Sequence, residues 1–197
     1  MSREETRDAY SDRIQILHWL SAVLILLMIP LGFAMQRIES QSLQLGAMRF
    51  HVLLGFVVLG LTLLRVVWRW VDDSPDPLPD LSDLHRRGIG MVHVLLYLLL
   101  AGLSISGVLL LVQSGLGLTL MGLSGDPVPV NLSESLPRQA HGLEARVYIA
   151  LLVAHLGGIV VYQFSKGDVL SRMGIRMGTR VGEQRGVPFA PPTRRRV

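Results

Sequence analysis

The chain has 197 residues, half of them apolar and only 17% charged, with a formal net charge of +4. So few charges are unusual for a soluble protein of this size and direct attention to membrane spans. The absence of cysteine excludes iron–sulfur clusters, thiolate-ligated haem, covalently attached haem and disulfides.

Residues 1–13 mix both signs of charge and read as a tail. The apolar run behind them is too long for a signal-peptide core and carries no small-residue cleavage pattern, so the first span is expected to be retained. A hydrocarbon core about 30 Å thick needs roughly 20 apolar residues per helix. Four stretches qualify, at about 14–35, 48–70, 89–112 and 141–162. The expected fold is therefore an all-α membrane protein, a four-helix transmembrane bundle over 14–163 with an Arg- and Pro-rich tail over 164–197. Between the spans, IESQSLQLG, VDDSPDPLPDLSDLHRR and the Gly-, Ser- and Pro-rich stretch 113–139 read as loops. Within the last of these, LGLTLMGL is too short to span and is expected at the interface or folded back on the bundle.

Basic residues set the orientation. Fifteen Arg and Lys lie in the N-tail, the second loop with its flanking helix end, and the C-tail, against four (Arg37, Arg49, Arg138, Arg146) on the other side. The richer side faces the cytoplasm, giving an N-in/C-in topology in a plasma membrane. Trp68, Trp70 and Tyr162 then fall at inner helix ends, at headgroup level. The TRRRV ending suits anionic membrane lipid, and no nucleic-acid partner is expected.

Six histidines occur, and all but His85 lie within or at the ends of apolar helices. A polar side chain in hydrocarbon is costly unless partnered, so five of them in one small bundle call for a shared purpose. At about 1.5 Å rise per residue, His18 lies near the inner end of the first helix, and His51 and His141 lie near the outer ends of the second and fourth. His155 follows His141 by fourteen positions, about 21 Å along the axis and on nearly the same face. Two level-matched pairs result: His51 with His141 outside, His18 with His155 inside. Such pairs can sandwich two haems b between antiparallel helices. Iron with two axial histidines suits electron transfer better than oxygen binding.

His93, about one turn into the third helix, is a third candidate at the inner level. Its other readings are packing, a propionate contact or proton handling near a quinone. His85, beside Arg86 and Arg87, reads as a solvated loop histidine. Arg65 follows His51 by fourteen positions and either pairs a propionate of the inner haem or snorkels to headgroups; Arg69 is read as snorkelling. Arg49 and Arg146 serve the outer haem or attract an anionic partner. A metal-ion transporter built on the same histidines is disfavoured by an expected lack of acidic residues near them within the spans.

RIQILHWL, RFHVLLGFVVLGLTLLRVVWR, HVLLYLLLAGLSISG, HGLEARVYIALLVAHLGG and a GDVLSRM ending together resemble the bacterial cytochrome b561 family, which is similar to the cytochrome b subunits of nickel–iron hydrogenases and formate dehydrogenases. The resemblance covers roughly Arg13 to Met173. It implies that His18 and His155 ligate one haem b, that His51 and His141 ligate the other, and that His93 is not an axial ligand. It also implies electron exchange with quinone in the inner membrane. Some standalone members are superoxide oxidases that deliver electrons from superoxide to ubiquinone. Four helices and short outer loops favour a standalone oxidoreductase over an electron-transfer subunit that serves a redox protein donor within a larger complex.

Overall fold

The computed structural model describes residues 8–78, 81–120 and 135–175. Four long helices dominate: α1 (Asp12–Ala34), α2 (Gln41–Val71), α3 (Asp83–Gln113) and α5 (Leu136–Ser165), with the short α4 (Leu116–Leu120) between the last two. All four long helices are long and apolar enough to cross a membrane. Their outer surfaces carry exposed Leu, Ile, Val and Phe along their length, as expected of a bundle solvated by lipid.

All four long helices start earlier than hydropathy alone indicates, α2, α3 and α5 by more than a turn. At 31 residues each, α2 and α3 are about 46 Å long, well beyond a hydrocarbon core of about 30 Å. QSLQLG is thus the first part of α2 rather than a loop, and His51 lies about three turns inside that helix. DLHRR opens α3 instead of closing the preceding loop. Ser82 caps it, accepting from the His85 backbone N–H at 3.4 Å, with its hydroxyl 2.6 Å from His85 Nδ1; His85 is exposed on a helical first turn. Ser11 caps α1, accepting from Ile14 N–H at 3.5 Å, and donates to Asp72 just after α2.

The helices pair as two hairpin-like layers. α1 packs along α2 and α3 along α5, with a narrower α2–α3 contact closing one side. Between the layers, at mid-height, Ile25, Val58 and Tyr148 form a small buried core, flanked by Leu24, Met28, Leu96 and Leu152. The short α4 folds back against α2 and α3, which settles that LGLTL lies on the bundle.

The described residues before α1, those just after α2 and those just after α5 meet at one end of the bundle, here called the terminal end. Residues just after α5 belong to the folded body, not to a free tail. Leu170–Met173 forms a 3-10 turn; the Met173 carbonyl accepts from Trp19 Nε1 at 2.8 Å, and the Arg172 carbonyl accepts from the Tyr10 backbone N–H at 3.0 Å. Gln163 at the end of α5 receives the Val169 and Leu170 N–H groups at 3.0 and 3.1 Å and donates to Asp168 at 3.0 Å. Tyr162 is buried, 8% exposed, so it packs within the protein instead of floating in the headgroup layer, unlike the exposed Trp70. The Arg-rich stretch 176–197, with its TRRRV ending, lies outside the described residues, as do 1–7, 79–80 and 121–134.

Candidate haem site

The helices bring the histidines together in two groups. At the terminal end, the ring centroids of His18 on α1 and His155 on α5 are 6.5 Å apart, with ring planes at 70°. At the opposite end, His51 on α2 and His141 on α5 are 6.3 Å apart at 74°. Both pairs bridge the two layers, and α5 contributes to each.

These separations have a chemical meaning. Two imidazoles binding one metal from opposite faces, each at a metal–nitrogen distance of about 2 Å, place their centroids roughly 6 Å apart. His93 on α3 is only 5.1 Å from His155, edge to face, too close for those two rings to bind one metal from opposite faces. Among the described residues, no group of three or more His, Asp or Glu is arranged to hold a metal ion.

The pair at the opposite end opens on a cavity of about 690 Å³ between the layers, within the usual range for a cofactor pocket. Glycines shape its walls beside the rings: a Cβ on Gly32 would stand 3.4 Å from His51 Cε1, and one on Gly107 would stand 3.5 Å from His141 Cε1. Gln36, Arg138 and Arg146 line the same cavity, placing cationic and hydrogen-bonding groups around a largely apolar slot. Arg138 was not singled out from sequence, where only its charge was counted. Arg49 instead points to the fold-back segment, donating to the Thr119 carbonyl at 3.2 Å.

The imidazole nitrogens also fit a ligand role. His141 Nδ1 is 3.1 Å from the Leu103 carbonyl, which can only accept, so Nδ1 carries the hydrogen and Nε2 keeps its lone pair. His18 Nδ1, His51 Nδ1 and Arg65 Nε are buried without a hydrogen-bond partner, an arrangement that proteins rarely leave uncompensated. The Arg65 guanidinium turns inward, 5.4 Å from the Tyr97 ring centroid and within electrostatic reach of His18, His93 and His155; it does not snorkel. Arg69 is exposed and stacks on Tyr10 at 4.8 Å.

The expected lack of acidic residues near the histidines is wrong. Glu144 lies one turn beyond His141 on α5, and the Ser106 hydroxyl on α3 donates to its Oε2 at 2.7 Å while standing 3.0 Å from His141 Nδ1. The signal was present in HGLEAR, but its reading as a helix end hid a carboxylate facing the bundle interior.

The sequence profile described as prokaryotic cytochrome b561 matches residues 9–174. The chain belongs to the prokaryotic cytochrome b561 family. A relative within it, "Cytochrome b561 homolog 2" of Escherichia coli strain K12, is 29% identical over 180 residues, covering 88% of this chain and 95% of the relative. No solved structure matches. As a cytochrome b561, the chain is a multi-pass membrane electron-transfer cytochrome of a family that typically binds haem b, and the donor set and cavity above suit that group.

Proposed function

We propose that this cytochrome binds two haems b and carries electrons across the bacterial inner membrane, exchanging them with quinone. His18 and His155 hold the haem at the terminal end, and His51 and His141 hold the haem at the opposite end. The observation that carries this reading is the near-equal ring spacing, 6.5 and 6.3 Å, at the two ends of one helix. The basic excess at the terminal end makes it the cytoplasmic face, so the two sites become inner and outer.

When bound, haem iron with two histidines supplies one-electron transfer with little change in its ligands. The protein does the rest. Its histidines would fix the orientation of the group, and its apolar exterior keeps the bundle in lipid. Arg138 and Arg146 at the outer cavity provide cations for propionates, and Arg65 provides one at the inner level. The same outer cations favour an anionic one-electron donor, and superoxide is the donor we assign. Two superoxide ions each lose one electron and become O2, while one quinone gains both electrons with two protons.

The test is a visible spectrum with haem stoichiometry on the purified full-length chain. Two low-spin b haems per chain are expected; a well-folded but colourless protein, produced with ample porphyrin, overturns the reading. Superoxide added to oxidised protein should reduce the haems anaerobically, and quinone should reoxidise them.

A further inference from the structure

Glu144 is a carboxylate within a membrane helix, and neither packing nor the ligand arrangement requires it. Its surroundings are specific. Ser106, 4% exposed, connects it to His141: its hydroxyl donates to Glu144 Oε2 at 2.7 Å, the shorter of two acceptors, with the Leu103 carbonyl at 3.2 Å, and presents its oxygen to His141 Nδ1 at 3.0 Å. Because Nδ1 already carries a hydrogen toward the Leu103 carbonyl, the serine oxygen is a second acceptor for the same N–H, and the chain runs from imidazole to hydroxyl to carboxylate. Gly102 on α3 makes room for the carboxylate: a Cβ there would stand 2.9 Å from Glu144 Oε1. No comparable arrangement serves its partner ring, since His51 Nδ1 is buried without a partner.

We infer that Glu144, acting through Ser106, is a positioning residue that orients His141 and lowers the reduction potential of the outer haem. A hydrogen-bonded carboxylate behind a ligating histidine fixes its tautomer and makes it a stronger electron donor to the metal. A stronger donor stabilises the oxidised iron more than the reduced iron. Arg138, on the same helix, opposes it in charge and is within electrostatic reach of both outer histidines. It acts through space on the pair, whereas Glu144 reaches one ring through hydrogen bonds. The inference rests on the outer haem being held by His141.

The test is a redox titration of the full-length haem-loaded protein, followed by visible absorption. The outer haem is identified as the component missing from H141A. In E144Q its equilibrium should shift toward the reduced form by about tenfold, an upward move of about 59 mV for one electron, while the inner haem stays put as an internal reference. S106A, which keeps the charge but cuts the connection, should shift the same component in the same direction, and S106T, which restores a hydroxyl, should return it. G102A, which displaces the carboxylate without removing it, should give a smaller shift of the same sign and keeps the test available if E144Q fails to assemble. An outer potential unmoved in E144Q, or moved in E144Q but not in S106A, overturns the inference while leaving the haem assignment standing. A wild-type protein without haem at His141 removes the assignment itself.

Discussion

The two ends of the bundle present the same histidine spacing in opposite settings. Away from the termini, His51 and His141 stand as a pair beside a glycine-walled cavity, with a carboxylate relayed to one ring through Ser106 and arginines at the rim. At the terminal end, His18 and His155 share their level with a third imidazole and an inward-turned guanidinium beside the Tyr97 ring. Helix packing sets the distance between rings, and the neighbours set the charge each ring feels. On the proposed haem assignment, a single scaffold would hold two chemically similar groups and give them different redox properties.

The strongest way to break this comparison is to remove one ring at a time. H141A or H51A should lose about half the haem with the inner component intact, and H18A or H155A should do the converse; loss of both haems from any one variant would deny that the ends are separate sites. His93 comes next, because depth along the helix does not distinguish it from His18. H93A should retain both haems in the visible spectrum, whereas a chain that loses the inner haem would mean that His93, not His18, is the ligand.

Charge gives a finer test. R65M removes the buried cation near the inner group, so the inner haem should become harder to reduce by about tenfold, near 59 mV, opposite in sign to the outer shift in E144Q. Smallest is the clasp at the terminal end. W19F deletes the donor to the Met173 carbonyl and should cost about 1 kcal/mol, read as a drop in thermal midpoint of a few degrees with both haem spectra retained.

The number of spans and the depth of each histidine were legible because hydropathy and a rise of about 1.5 Å per residue fix them without any tertiary information. Helix ends were not. Gln41 and Asp83 begin helices that continue past the lipid into water, where polar residues carry no signature that separates helix from loop. His18 and His93 could not be told apart for a related reason: residues on different helices at one depth differ only by how those helices cross, and the 6.5 against 5.1 Å contrast is a product of packing. Glu144 and Ser106 meet across two helices, 38 positions apart, so neither announces the other in sequence. Arg65 faced inward for the same reason, since its direction depends on Tyr97 and Tyr148 from other helices.

Because α5 supplies one ring to each pair, the ribosome delivers the decisive segment last. Until that final helix enters the bilayer, His18 and His51 wait without their counterparts, and a nascent chain halted before Leu136 can complete neither centre. On the proposed haem assignment, neither group could be held by two histidines before α5 is in place, so haem acquisition would follow the insertion of all four long helices.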